Sequence, residues 1–444
     1  MVSEEPVGIG IIGLGTIGTG VAKVLRRNAS VITQKLGFPL RLLRVADIDT
    51  ERERGVDLRG VKFDADAEGL IDDPDVSIVI ELIGGYDAAK RLILRAIERG
   101  KHVVTANKAL LALHGKEVFD AAASRGVDVA FEASVGGGIP ILRSMREGLA
   151  ANRIQSLHGI MNGTTNYVLT EMERTGELFD VVVKRAQDLG YAEADPSIDV
   201  DGIDAAHKLT LLAAMAFGAE LTHKDIPTEG IRGLTPLDFE AAAEFGYRIK
   251  LLGIAKLREE EGGEERIEAR VHPAMIPESS MLAKVDGAMN AIAVHVDAVG
   301  PTLFYGAGAG ELPTASAVVA DTMEIAREIR RGTAGRVAPL SYMPDALQIK
   351  PLVPLGELRA RSYLVFSVLD RPGVLGQIAT VLGESGISIE SVLQKGQSRS
   401  AGAVPIIVLS HPAQEFAIRS AMAEIDRLPE VAAPTRLVRI EEDF

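Results

Sequence analysis

The sequence contains no cysteine. That removes disulfides, thiolate zinc sites, iron–sulfur clusters and every mechanism that needs a thiol nucleophile. Long apolar runs are missing as well: the most apolar helical stretch, 209–219, covers 11 residues, against about 20 for a membrane span. The amino terminus, Met1-Val2-Ser3-Glu4-Glu5-Pro6, is acidic and lacks the apolar core of a secretory signal. No Lys/Arg-rich run offers a footprint for a phosphate backbone, and 62 acidic residues against 48 basic ones give a net charge of −14. Nucleic acid and membrane are therefore not expected as partners. Any anionic cofactor must be held by local geometry against a negative field. These absences fit a cytoplasmic protein. What is present suffices for large cores: 444 residues, 47% hydrophobic and 25% charged, or two to three domains at roughly 150 residues each.

The first third alternates strands (7–12, 40–46, 76–82, 102–105, 127–131) with helical patterns such as 88–99 and 115–124. That order implies right-handed crossovers and a parallel, doubly wound sheet. Gly13-Leu14-Gly15-Thr16-Ile17-Gly18 follows the first strand and opens a helix. In such a G-x-G-x-x-G, the first glycine makes the tight turn, the second admits a pyrophosphate, and the third lets helix and strand pack closely. Asp47 ends the second strand, where a carboxylate can bind a ribose 2′-hydroxyl and favour NAD. It lies 34 residues after Gly13, and an insertion at 28–39 accounts for the excess over the usual spacing. Arg52 and Arg54 could instead cradle a 2′-phosphate, and Asp47 could merely cap a loop. Thr105-Ala106-Asn107-Lys108 stands at the carboxyl end of the fourth strand, where ligands sit in open sheets. Lys108 could contact substrate or cofactor, or simply start the next helix.

Beyond Phe131 the pattern changes. Glu132-Ala133-Ser134-Val135-Gly136-Gly137-Gly138-Ile139-Pro140 combines one carboxylate with a glycine loop that exposes carbonyls. The set suits a hard cation held by oxygen, or else a flexible crossover between domains. The polar stretch 158–166 precedes a helix expected at 167–174; Asn162 or Thr164 could cap it or line a pocket. Asp204 and Lys208 are four apart and share one helix face, and the helix continues into 209–219, apolar almost all round. A lysine buried there is costly unless paired or functional. Desolvation suits it to general acid/base work, while Asp204 pulls the other way. Glu193, in a loop ahead of this helix, is a carboxylate suited to an ammonium group, or a plain surface acid. A second glycine loop, 306–310, precedes a helix at 314–330 that can return to the nucleotide domain. Residues 256–265 read as an exposed hairpin turn.

Four prolines between 331 and 361 mark a linker. After it the order is βαββαβ, ferredoxin-like, and the helix start at Gly373-Val374 can meet a small carboxylate with free N–H groups. A plain dimerisation module is the other reading.

The motifs at 13–18, 105–108, 162–167 (Asn-Gly-Thr-Thr-Asn-Tyr), 189–196 (Leu-Gly-Tyr-Ala-Glu-Ala-Asp-Pro) and 199–208 occur in the order found in homoserine dehydrogenase, which the chain resembles over nearly its whole length. From Asp370-Arg371-Pro372-Gly373 onward it resembles an ACT domain, a small amino-acid sensor. The resemblance implies a Rossmann-type dinucleotide-binding domain at 1–131, with 314–335 returning to it. An α+β substrate and dimerisation domain at 132–313, a linker at 336–360 and a ferredoxin-like ACT domain at 361–444 follow. It implies NAD- or NADP-dependent interconversion of L-homoserine and L-aspartate 4-semialdehyde, in the biosynthesis of threonine, methionine and isoleucine. By the same resemblance Lys208 is the acid/base, and Asp204, Glu193 and Gly190 hold the substrate. Gly13, Gly15, Thr16, Ile17, Gly18, Asp47, Thr105, Lys108 and Gly310 line the cofactor. Glu132, Val135, Gly137 and Ile139 match a sodium site, the last three through carbonyls. A homodimer or higher homo-oligomer and feedback by L-threonine are also implied. Two other readings stand beside this: a non-catalytic nucleotide and amino-acid sensor, and a dehydrogenase for another hydroxy acid.

Overall fold

The computed structural model describes residues 5–260, 262–394, 402–442 and 444. Residues 1–4, part of the terminus read as lacking a secretory signal, and Glu261, in the expected 256–265 turn, lie outside the described residues. The chain divides into two compact units: 1–163 with 203–226 and 288–350, and 164–202 with 227–287 and 351–444. This division cuts across the contiguous 132–313 domain expected above. The cause is the helix Ile203–Phe217, buried in all but its first residue and packed on the helix Lys108–Arg125 of the nucleotide-binding fold.

In the first unit six parallel strands lie side by side as Lys62–Asp64, Leu40–Ala46, Val7–Ile12, Ile78–Glu81, His102–Thr105 and Val129–Ala130. In chain order this is 3-2-1-4-5-6. The order reverses beside Val7–Ile12, whose six residues are all buried, and a crevice opens at the carboxyl ends of the strands there. The helix Glu311–Arg331 packs on Thr16–Arg27, and its Ala315, Val318 and Ile325 share one core with Ile9, Ile11 and Val21. Lys23 and Glu311 pair across these helices at 2.7 Å. The antiparallel strands Gly300–Ala307, Met289–Val296 and Ile154–Ile160 complete the unit.

One local expectation is given its structure and one is corrected. The 28–39 insertion is mostly the helix Ala29–Leu36, closed by Gly37 at φ +84°. The polar stretch 158–166 is the end of the strand Ile154–Ile160 and the start of the helix Gly163–Thr175. Pairing of His158 with Ala293 buries polar residues that read locally as a turn, a tertiary effect on a strand that composition does not carry.

In the second unit the hairpin Tyr247–Glu259 and Glu265–Pro277 keeps one register over its whole length. The βαββαβ segment forms an antiparallel sheet ordered Val431–Ile440, Arg359–Leu369, Ala403–Ser410, Ile389–Gln394. Its helices Val374–Glu384 and Glu415–Ile425 share a core with Leu364, Phe366 and Val408. The last strand is not confined to this sheet: Val431–Ile440 also pairs in parallel with Glu265–Pro277, Arg439 opposite Ala274. The 336–360 linker is likewise tied down. In the first unit Gln348 donates to the Gly218 carbonyl and accepts from Glu220 N–H. In the second, Ile267 exchanges backbone bonds with Pro351 and Val353. Proline-rich backbone stays extended and offers its carbonyls to an edge. Among the described residues no helix is long and apolar enough to cross a membrane.

If the returning helix belongs to the first core, Ile325→Ala lowers stability by about 2–5 kcal/mol, read as a shift in the urea unfolding curve; Ile325 is 2% exposed. An unshifted curve would place the helix outside that core.

Candidate active site

The glycine loop is shaped by close approach. Gly13 adopts φ +95° and donates its N–H to the Ala46 carbonyl at 2.8 Å. A β-carbon at Gly18 would collide with the Gly13 carbonyl, whereas one at Gly15 would meet nothing within 4 Å. Gly15 and Thr16 are exposed and Ile17 partly so. The helix Thr16–Arg27 has no side-chain cap and no acid in its first turn. Free N–H groups beside an open Gly15 fit a pyrophosphate.

Asp47 is drawn into this loop. Its carboxylate accepts from the Leu14 N–H at 2.5 Å and the Asp49 N–H at 2.9 Å, and Arg54 lies 3.3 Å from it. Arg54 also donates to the Leu14 carbonyl at 2.7 Å and lies over the Phe63 ring. Arg52 is exposed on the same hollow, of about 420 Å³.

Across the sheet, Glu81 ends the strand Ile78–Glu81 with no exposure at all. It accepts from the Thr105 hydroxyl at 2.7 Å and from Ile83 and Gly84 N–H at 2.9 and 3.3 Å. Burial raises its carboxyl above the ordinary value despite those bonds. Thr105 is fully buried as well, and its hydroxyl also accepts from Asn107 N–H. Its side chain is thus a brace for the turn that presents Lys108. Asn107 caps the helix Lys108–Arg125 by accepting from Leu110 N–H at 3.1 Å.

The centre of the site is Asp204, 5% exposed. Lys208 donates to it at 2.7 Å and to the Met161 carbonyl at 2.6 Å. Asn162 donates from its amide at 2.8 Å, and the Lys108 ammonium lies 3.1 Å from the other carboxylate oxygen. Burial alone would raise the Asp204 carboxyl. The ammonium groups of Lys208 and then Lys108, with the bonds from Lys208 and Asn162, outweigh it and hold the group well below its ordinary 3.8. Burial and the neighbouring His223 push His207 down to about 4, so it adds no charge here near neutral pH. Two lysines and one carboxylate leave the cluster positive, a setting for an oxygen that gains negative charge as its proton leaves.

Gly190, at φ +77°, and Glu193 lie in an exposed loop of the second unit. Gln187 holds the Glu193 and Ala194 carbonyls at 3.0 and 3.1 Å, and the Thr164 hydroxyl donates to the Tyr191 carbonyl at 2.6 Å.

Three family models match successive parts of the chain: the homoserine dehydrogenase NAD-binding domain at 13–132, homoserine dehydrogenase at 140–323 and the ACT domain at 362–430. Homoserine dehydrogenase of Neisseria gonorrhoeae is 48% identical over 437 residues, 98% of this chain and 99% of that protein. The Pseudomonas aeruginosa enzyme is 48% identical over 439 residues, 99% of each. The solved homoserine dehydrogenase of Thiobacillus denitrificans superposes with a TM-score of 0.92 at 48% identity, covering 100% of both chains. The chain belongs to the homoserine dehydrogenase family. Its activity is that of an NAD(P)-dependent oxidoreductase, and an ACT domain follows the catalytic part.

The residues expected to hold sodium sit in one tight turn. Glu132 accepts from Leu142 and Arg143 N–H, each at 2.8 Å, and its own N–H donates to Asp321 at 2.8 Å. Burial, then Asp321, raise Glu132 to about 7, and burial raises Asp321 to about 6. The Ile139 carbonyl accepts from Ile141 N–H at 2.8 Å. Gly136 and Gly137 turn the chain at φ +73° and +54° between Val135 and Ile139, and Gly137 backs onto Gly308. Among the described residues no three His, Cys, Asp or Glu side chains gather as a metal site, so a cation here would rest on carbonyls. Gly310, at φ +123°, opens the helix Glu311–Arg331.

Glu81 and Asp321 are the residues that sequence reasoning missed. Glu81 carried a signal, a lone acid closing an apolar strand ahead of Gly84-Gly85; Asp321 carried none.

Since the Asp204 carboxyl is depressed in the folded chain, its contribution to stability is present above the unfolded value near 3.8 and is lost as pH falls through the folded one. Asp204→Asn should therefore destabilise the chain by about 3–5 kcal/mol at neutral pH. The gap to wild type should narrow below about pH 4. A gap that stays constant into acid would mean the charge of Asp204 contributes nothing.

Proposed function

We propose that Lys208 is the acid/base of the reaction between L-homoserine and L-aspartate 4-semialdehyde, the step that serves threonine, methionine and isoleucine biosynthesis. The observation that carries this reading is the buried Lys208–Asp204–Lys108 cluster. Lys208 takes the hydroxyl proton during oxidation and returns it to the aldehyde oxygen during reduction. The dinucleotide, when bound, supplies the hydride exchange. Asp204 cannot neutralise both lysines, so release of the Lys208 proton relieves repulsion from Lys108. Glu193 takes the substrate ammonium and Gly190 adds a backbone contact, with Asp204 holding the reacting end.

Gly13, Gly15, Thr16, Ile17 and Gly18 hold the pyrophosphate. Thr105 and Lys108 stand at the nicotinamide end, and Gly310 closes over it. Asp47 supports the loop rather than a ribose, because its carboxylate is engaged by Leu14 and Arg54. Arg52, exposed on the same hollow, then favours the 2′-phosphate of NADP, with Arg54 bracing the loop. The carbonyls of Val135, Gly137 and Ile139 beside Glu132 would hold a sodium ion, which would supply positive charge to the turn that meets Gly308. The chain works in the cytoplasm as a homodimer or higher homo-oligomer. L-threonine binds the ACT domain, where Gly373, at φ +94°, starts the helix Val374–Glu384 without a side-chain cap.

Initial rates with L-homoserine test the reading. Lys208→Ala should lower kcat by at least about 10²-fold, with little change in dinucleotide affinity; a variant as active as wild type removes Lys208 from the chemistry. NADP should outperform NAD, and the reverse order would return Asp47 to the ribose. Added L-threonine should slow the full-length enzyme, and an unaltered rate would count against feedback.

A further inference from the structure

The helix Phe179–Asp188 ends at Leu189, and the loop that carries Glu193 folds back onto its last turn. Gly190, in the left-handed region at φ +77°, makes the return, and its N–H meets the Gln187 carbonyl at 3.0 Å. Two adjacent residues of the last turn then hold the loop. The Ala186 carbonyl accepts from the Tyr191 N–H at 2.9 Å and the Ala192 N–H at 3.3 Å. The Gln187 side-chain amide donates to the Glu193 carbonyl at 3.0 Å and the Ala194 carbonyl at 3.1 Å. At the start of the loop Tyr191 is held again, by the Thr164 hydroxyl on its carbonyl at 2.6 Å and by the Tyr167 ring at 4.9 Å. From Glu193 to Ala194 the holding falls to Gln187.

Glu193 and Ala194 are exposed, so water could satisfy their carbonyls at almost no cost. A glutamine that replaces that water adds little stability and gives up side-chain freedom. What the contact does add is direction. Each peptide unit is planar, so a residue bracketed by two fixed units has its Cα–Cβ bond fixed as well. Glu193 is such a residue, with the Ala192 N–H clamped before it and two carbonyls clamped after it. Its carboxylate makes no hydrogen bond or ion pair among the described residues. Asp195, two positions on, is the opposite case: its carboxylate is taken by the Ser197 N–H at 3.0 Å and the Ser197 hydroxyl at 2.6 Å. A held backbone beneath an open carboxylate is the arrangement of a group prepared for a ligand.

We infer that Gln187 is a positioning residue for substrate recognition: by holding the Glu193 and Ala194 carbonyls it aims the Glu193 carboxylate at the substrate ammonium. This rests on Glu193 taking that ammonium, as proposed above. A hydrogen-bonded ion pair weakens with distance and falls steeply with angle, so a carboxylate on a loose loop would bind the ammonium with part of its strength. The ammonium stands at the far end of L-homoserine from the hydroxyl that gives up its proton. Losing Gln187 should therefore weaken binding of the substrate and its transition state alike, which raises KM and leaves kcat in place.

Gln187→Met keeps the length of the side chain and its helix preference while removing both donors. Gln187 is partly exposed, so the change leaves the core intact. At saturating dinucleotide the variant should show a KM for L-homoserine raised about tenfold and a kcat within about twofold of wild type. 4-Hydroxybutanoate, the same molecule without its amino group, should compete with L-homoserine at an inhibition constant within about twofold of wild type. Glu193→Gln, measured beside it, tests the reading on which this rests: it should also raise KM and spare the 4-hydroxybutanoate constant. If Glu193→Gln leaves KM unchanged, Glu193 does not hold the ammonium, and the role of Gln187 falls with it. If Glu193→Gln raises KM and Gln187→Met does not, Gln187 alone is overturned. A Gln187→Met enzyme that loses kcat, or binds both compounds more weakly by the same factor, would show a general loosening of the loop and overturn the proposal as well.

Discussion

One carboxylate shared by two ammonium groups governs the catalytic unit. Asp204 is buried, and its oxygens face Lys208, Lys108 and the Asn162 amide. Burying an ion is tolerable only with partners on every side, and here each partner arrives on a different element. Lys208 comes from one turn further along the same helix, Lys108 from the start of Lys108–Arg125, and Asn162 from the end of the strand Ile154–Ile160. The cluster thus fixes three elements relative to one another. This explains why a helix from the middle of the chain belongs to the unit that carries the nucleotide-binding sheet.

Glycine supplies the second constraint. The fingerprint loop, the 136–138 turn and the 306–310 loop all bring backbone against backbone: Gly18 against the Gly13 carbonyl, Gly137 against that of Gly308. A side chain at either contact would push the two backbone segments apart. The same closeness makes the buried polar groups nearby unusually exacting. Glu81 meets three donors, and Glu132 two N–H groups.

Much of this was legible in the sequence, for physical reasons that can be named. The parallel sheet follows from alternating strand and helix, and the glycine loop from spacing. The burial of Lys208 follows from the apolar run that continues its helix. What the sequence could not carry depends on contacts between distant segments. Asp47 ends its strand as its position in the sequence indicates, but its bonds to the Leu14 N–H and Arg54 join residues 33 and 7 apart and have no local signal. The polar stretch at 158–166 reads as a turn because its strand partner, Met289–Val296, lies more than a hundred residues on.

The carboxyl-terminal segment shows how far local reading reaches and where it stops. Its βαββαβ order is visible residue by residue, but its independence is not. Val431–Ile440 closes its sheet and also lies parallel to Glu265–Pro277. Around that seam Arg439, 1% exposed, bonds Glu229 and Glu415, while Arg270 bonds Glu268 and Glu441. Burial lowers the Arg439 guanidinium's preference for its charged form, and the two carboxylates more than restore it. Buried ion pairs of this kind contribute little net stability compared with apolar packing of the same volume, but they tolerate no slip in register. A strand held so cannot slide along its neighbour. Glu229 begins the turn whose next residue, Gly230, packs on Val200 and Asp201, directly ahead of the helix that bears Asp204 and Lys208.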